Sequence, residues 1–368
     1  MPYGHRRYLA GLLAGLIAVP LSAQQAAQQA SPPPVDWSGL VYAQWQNGGT
    51  RAQRPANAFD ITRAYLTFRM PAGEHVRMQV TTDALHVAAQ PGQPGGWSIR
   101  LKFAFAEWAA WRGQGGHPGA LAVLVGLQPT PEISPMERFW QRGIAKTPID
   151  ELGYVSPADL GVAARYTLPG QRGEVVAGVY NGSGYTSQET DRFKDVHLRL
   201  SWTPLAARTD AGWLRGLEIM PYYARGYRAR LFDPAGSGLQ KDRWGLHVGA
   251  GDRRLLLAAG YAGRTDAMDT ALNPAVTKVT GAVYSASAIV RPFALLHHTA
   301  DSPWSVVLRG DHYTPNTSAS GYQRFLIGGI GYDLNSKVAV YADLQDVEGH
   351  QGVTADTKAF LVQFVMHF

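Results

Sequence analysis

The sequence predicts an all-β fold, a transmembrane antiparallel β-barrel of about 16 strands. Three observations carry this. From Ser38 onward apolar residues recur at every second position rather than every third or fourth. The connections between these stretches switch between short and long. The chain closes on T-K-A-F-L-V-Q-F-V-M-H-F, where Phe360, Val362, Phe364, Met366 and Phe368 fall on one face of an extended strand.

The front end comes first. Arg6 and Arg7 precede an apolar run from Leu9 to Val19, and Pro20-Leu21-Ser22-Ala23 offers a small-residue cleavage site. Residues 1–23 therefore read as a secretory signal peptide, too short to span a bilayer as a helix. Residues 24–37, with Ser31-Pro32-Pro33-Pro34 inside, read as a flexible periplasmic lead-in, leaving 38–368 for the barrel. The chain has no cysteine, so its stability does not come from disulfides. Beyond the leader no run of 18 uncharged apolar residues occurs, which argues against a helical membrane protein. The net charge of +6 is small and dispersed, unlike a nucleic-acid-binding patch.

Alternation is clearest in D-V-H-L-R-L-S-W-T-P, Asp195 to Pro204, where Val196, Leu198, Leu200 and Trp202 oppose His197, Arg199 and Ser201. The stretches H-V-R-M-Q-V-T-T-D from His75 and K-V-A-V-Y-A-D-L-Q from Lys337 repeat it. Punctuation at turn residues places strand centres near 42, 64, 78, 103, 123, 163, 177, 199, 221, 246, 258, 285, 308, 327, 341 and 363. Short connections include P-A-G-E (Pro71 to Glu74) and P-G-Q-R-G (Pro169 to Gly173); long ones include Asn181 to Asp195 and Thr265 to Lys278. A sandwich has no reason to sort its loops by end. A membrane barrel does, and closure leaves no strand edge unpaired. Trp37, Trp97, Trp202, Trp244 and Trp304 fall near strand ends, where aromatic girdles belong. The apolar face of the last strand then looks at outer-membrane lipid, with the free terminus on the periplasmic side.

A 16-strand barrel is too wide for side chains to fill, so it encloses water. Giving the more apolar parity to lipid turns Arg63, Arg69, Arg77, Arg100, Lys102, Arg165, Arg199, Arg243, Arg309, Arg324 and Lys337 inward. Asp83, Asp159, Glu174, Asp311 and Asp343 join them, and the excess of cations predicts a modest anion preference. Glu107 breaks the register and demands a bulge or an early strand end. The longest connection, residues 128–157, is the expected constriction. It is rich in proline and in bulky residues such as Phe139, Trp140, Ile144, Ile149 and Leu152 that a solvated loop would not want. Arg138, Arg142 and Lys146 lie four apart, so a short helix would align them, with Glu137 among the balancing acids.

Enzyme signatures are missing: there is no G-x-S-x-G, no H-E-x-x-H and no phosphate loop. N-G-S-G-Y, Asn181 to Tyr185, reads as a turn. His297-His298 would point to opposite faces of a strand, and Asp266 and Asp269 near Asn273 lack the remainder of a calcium loop. No metal, cofactor, catalytic residue or nucleic-acid partner is expected. An outer-membrane barrel hydrolase stays as the alternative from another class, since a triad need not show in sequence.

Several stretches resemble the porin family of outer-membrane channels, most closely the phosphate-selective porin O and P group. They are F-D-I-T-R-A-Y-L-T-F from Phe59, G-L-Q-P-T-P from Gly126, R-G-I-A-K from Arg142, A-D-L-G from Ala158, V-Y-N-G-S-G from Val179 and K-D-V-H-L-R from Lys194. The resemblance implies a homotrimer of 16-strand barrels in a Gram-negative outer membrane, passing small hydrophilic solutes, anions in some members. A channel specific for phosphate or organic acids is the variant on that reading. The last strand is similar to the assembly signal of outer-membrane barrels, with Phe364, Met366 and Phe368 as the residues the barrel assembly machinery would read.

Overall fold

A computed structural model describes residues 35–50, 56–87, 95–113, 119–230, 238–272, 274–297 and 302–368. The predicted leader, most of the lead-in, Asn273 and His298 lie outside the described residues. Alternating side chains build β1 (Asp36–Thr50), β2 (Ala56–Pro71), β3 (Val76–Val87), β4 (Gly96–Arg112), β5 (Ala120–Pro129) and β6 (Ala158–Thr167). They are followed by β7 (Gly173–Tyr180), β8 (Asp195–Trp202), β9 (Glu218–Arg228), β10 (Leu239–Gly251) and β11 (Leu255–Ala267). The last five are β12 (Lys278–Val290), β13 (Trp304–Thr314), β14 (Gln323–Asp333), β15 (Val338–Gly349) and β16 (Thr357–His367). Each strand pairs antiparallel with its neighbours in sequence, and β16 returns to β1, giving a closed 16-strand barrel. Every predicted strand centre lies inside a strand.

The period-two pattern sorts side chains to two environments. On β8, His197, Arg199 and Ser201 point inward and are buried, while Val196 and Leu198 point outward and are exposed. Outward aromatics collect at both rims. Trp37 meets Phe368 edge-on at 6.2 Å and Trp304 meets Tyr332 at 4.7 Å near the end that carries both termini. Trp45 meets Phe360 at 6.0 Å toward the opposite end, and Tyr261 meets Tyr284 at 5.0 Å midway along β11 and β12. The closing contact is backbone: Gly39 and Phe368 exchange hydrogen bonds of 2.8 and 3.0 Å. Phe364, Met366 and Phe368 lie on the outward face of β16, as expected.

A bulge resolves the Glu107 conflict. Thr81 pairs with Phe103 but Thr82 pairs with Leu101, so Lys102 is the extra residue and parity on β4 inverts there. Arg100, Lys102 and Glu107 all turn inward as a result, and Arg165 donates to Glu107 at 2.6 Å.

Two wall residues are corrected. Arg324 is on the outward face, opposite His312 and Glu348 and on the same face as the exposed Leu326 and Ile330. Its inward neighbours on β14, Phe325 and Ile327, are apolar because they cover the long loop from inside. Giving the more apolar parity to lipid fails where the lumen wall itself needs an apolar patch. Lys337 sits in the turn before β15, exposed, rather than on the wall.

Candidate functional site

The connection between β5 and β6 is closed at its neck, where Thr130 Oγ1 donates to the Ser156 carbonyl and Thr130 N to the Pro157 carbonyl. Beyond the neck it enters the barrel. Its large side chains need burial, and the lumen wall supplies two apolar patches. Ile133, Met136, Ile149, Tyr154 and Val155 pack with Met220, Tyr222, Ala262 and Val283 of β9, β11 and β12. Trp140 and Ile144 pack on the far side with Tyr42, Tyr65, Val307, Ile327, Tyr341 and Val365. Each such burial contributes about 1.5–3 kcal/mol relative to exposure. Two glycines permit the close approach. A Cβ on Gly143 would stand 2.4 Å from Val365, and one on Gly249 would stand 2.5 Å from the Phe139 ring.

Polar straps then fix the loop around the wall. Glu132, fully buried, meets His197 Nδ1 of β8 at 2.8 Å. Arg138 pairs with Glu218 of β9. Arg243 of β10 donates to the Tyr154 carbonyl at 3.0 Å, and Arg309 of β13 donates to the Lys146 carbonyl. Gln345 of β15 and Gln363 of β16 both donate to the Ile144 carbonyl, at 3.0 and 2.9 Å.

The expected helical alignment of Arg138, Arg142 and Lys146 does not occur. The helical turns are α1 (Ile133–Met136) and α2 (Pro148–Glu151), one on each side of that segment. Pro148 starts α2 where its missing N–H is harmless. The three cations instead go to separate carboxylates. Arg138 reaches Glu218; Arg142 reaches Glu137 and, at 2.7 Å, Asp150; Lys146 lies 3.9 Å from Glu151. Burial works against the Arg142 charge, but the Glu137 and Asp150 carboxylates outweigh it and raise its pKa. Arg142 is a structural tie between two parts of the loop as much as a lumen cation.

The wall cations divide likewise. Arg63 and Arg100 flank buried Asp83 at 3.9 and 2.9 Å and stay about one quarter exposed. Arg165 bridges toward Glu107 and Glu174 and is one third exposed, and Arg77 is exposed. Arg199, by contrast, is buried against Glu174 and Ser201, and Arg309 is buried against Asp311 at 2.6 Å beneath Trp140. Arg243 pairs with Asp266 at 2.8 Å.

Segment 137–146 borders two cavities. One of about 420 Å³ is lined by Tyr42, Arg63, Arg142, Lys146, Glu151 and Gln363. The other, about 710 Å³, is lined by Glu137, Arg138, Trp140, Arg291 and Asp333 and reaches Asn335 and Ser336 on the side of the termini. A second loop also enters. Tyr185, from the N-G-S-G-Y stretch read as a turn, places its hydroxyl 3.1 Å from Arg100 and 3.3 Å from Asp83. Sequence reasoning missed Tyr185 as a lumen residue; it placed His197 on the polar face of its strand and Glu132 among the loop acids, but not their pairing. Among the described residues no group of three or more His, Cys, Asp or Glu is placed to hold a metal ion.

No family model matches the chain, and no curated protein matches it by sequence. Solved structures do. An anion-selective porin from Comamonas acidovorans is 11% identical, with a TM-score of 0.63 over 91% of this chain and 99% of that one. OmpF of Salmonella typhi, solved with daunomycin, is 12% identical with a TM-score of 0.62 over 92% and 98%. The trimer form of in-vitro folded OmpT, an outer membrane protein of Vibrio cholerae, is 11% identical with a TM-score of 0.61 over 92% and 100%. At such identities the likeness is one of fold: this chain has the closed 16-strand barrel of outer-membrane proteins.

Proposed function

We propose that the protein is an outer-membrane porin, a water-filled channel for passive diffusion of small hydrophilic solutes with a modest anion preference. The observation that carries it is the loop strapped across the lumen between two cavities, a wide barrel narrowed at one level. The preference is assigned to Arg63, Arg77, Arg100, Arg165 and the loop's Arg138, which keep surface in water, rather than to Arg142, which is buried between Glu137 and Asp150. Export by a cleaved leader, insertion by the barrel assembly machinery and assembly as a homotrimer complete the reading. The trimer is supported by the trimer form of OmpT, which shares the fold.

The test is the reversal potential of the purified protein in a planar bilayer under a KCl gradient. An anion-selective potential is expected, unmoved by addition of phosphate. A potential that phosphate shifts strongly favours the substrate-specific channel. Absence of any channel steps sinks the porin reading and returns attention to a hydrolytic barrel.

A further inference from the structure

We propose that Tyr185, carried into the lumen by the loop between β7 and β8, sets how strongly a permeating anion feels Arg100. The inference deepens the anion preference above and rests on it. The N-G-S-G-Y stretch ends on this residue. Arg100 Nη2 donates to the Tyr185 hydroxyl at 3.1 Å, and the hydroxyl lies 3.3 Å from Asp83 Oδ2. The guanidinium carbon stands 4.6 Å from the centre of the Tyr185 ring, so the ring occupies one of the two flat faces of the cation. Arg100 also donates to Asp83 Oδ2 through Nε and Nη2, at 3.1 and 2.9 Å.

The contact joins residues 85 and 102 positions apart, and the loop is tied down to hold it. Asn181 N donates to the Leu160 carbonyl at 2.9 Å and Gly182 N to Asp159 Oδ2 at 2.7 Å. Lys241 of β10 donates to the Gly182 carbonyl at 3.1 Å and pairs with Asp195 at 2.8 Å. Gly184, at φ +72°, passes so close to Ser156 that a Cβ would stand 2.6 Å from the hydroxyl oxygen. A side chain supported in this way keeps one place against the wall.

Asp83 is fully buried between Arg63 and Arg100, so two guanidiniums against one carboxylate leave a net positive charge beside the water-filled passage. Arg100 keeps 27% of its side chain exposed. The Tyr185 ring keeps an anion from one guanidinium face, and its hydroxyl helps hold the cation against Asp83. An anion held a ring's thickness away meets a weaker field, because Coulomb energy falls with distance and salt screens what remains. Tyr185 is thus a positioning residue that acts through Arg100.

The experiment compares Tyr185→Ala and Tyr185→Phe, each alone and combined with Arg100→Gln, in planar bilayers under a KCl gradient. Tyr185→Ala should move the reversal potential further to the anion side. Tyr185→Phe, which keeps the ring, should move it less and covers the case in which Tyr185→Ala does not fold. With Arg100→Gln in place, Tyr185→Ala should leave the potential where Arg100→Gln alone puts it. A residue that only shapes the loop would shift the potential equally in both backgrounds, and that result overturns the proposal. So does a Tyr185→Ala potential equal to that of the unaltered protein. Phenylglyoxal labelling of the folded protein in detergent, read by peptide mass spectrometry, tests the contact without a channel. Arg100 should label severalfold faster in Tyr185→Ala, with Arg77, exposed and outside the contact, as the unchanged control. Equal labelling of Arg100 overturns the covering role and leaves an anion-selective channel standing. Faster labelling in a protein that opens no channel keeps the contact but removes the porin reading, and the selectivity role with it.

Discussion

The two sides of the lumen use the same residue type for different ends. Along β2 to β6, Arg63, Arg77, Arg100 and Arg165 keep a substantial part of their surface in water. Along β8 to β13, Arg199 and Arg309 are almost wholly buried, and Arg243 and Arg309 donate to backbone carbonyls of the inward loop. All seven are arginines at inward positions of amphipathic strands. Where the loop docks decides which of them a passing ion can feel and which hold the loop in place. Screening acts in the same direction, since at physiological salt charges beyond a Debye length of about 8 Å contribute little to a permeating ion.

The largest expected effect separates the loop from both walls. Deleting Met136 to Lys146 removes the segment between the two cavities and should raise single-channel conductance on the order of twofold or more. Unchanged conductance would reject the loop as the constriction. Next in size is Arg309→Met, which strips the guanidinium from buried Asp311 and from the Lys146 carbonyl. Removing one partner of a buried pair costs about 3–5 kcal/mol. The folded band should therefore convert to the unfolded one at a distinctly lower temperature in gel electrophoresis, with ion selectivity retained. A large selectivity change with intact stability would break the division between strap and water-facing cations.

The smallest effect is a contrast between two exposed arginines. Arg165→Gln removes a pair that is about one third exposed, so stability should move by about 1 kcal/mol or less while the reversal potential shifts toward cations. Arg324→Gln, on the outer face, should change stability by about 0.5 kcal/mol or less and leave selectivity alone. If the two variants shift the potential equally, the inward and outward assignments carry no functional meaning.

Much of this was legible in the sequence because it is local. Turn residues and period-two alternation mark the strands, and parity alone turned Arg199 inward and Phe364 outward. Parity failed in two particular places, each for a tertiary reason. On β4 it left Glu107 facing lipid, because a bulge at Lys102, whose position alternation cannot locate, inverts the parity there. At Arg324 the apolar neighbours Phe325 and Ile327 face a loop rather than lipid, and the pattern reads the same in either case. The resembling stretches at Gly126, Ala158, Val179 and Lys194 converge on the loop's root. There Gln128 donates to the Gly161 carbonyl, Gly182 N donates to Asp159 at 2.7 Å, and His197 meets Glu132. Their shared role is to hold the loop's entry, which spacing along the chain could not reveal.

The sequence by itself determined the strand number, the order, the closing strand and the inward or outward side of nearly every wall residue. Those follow from backbone pairing and from side chains that alternate with period two, and neither needs distant contacts. Only the tertiary structure decided which inward cations meet water. Arg138 finds Glu218 across 80 residues, Arg309 finds the Lys146 carbonyl across 163, and Gln363 finds that of Ile144 across 219. Pairings at such separations exist only once the barrel has closed around the loop, and they set the electrostatics of the lumen.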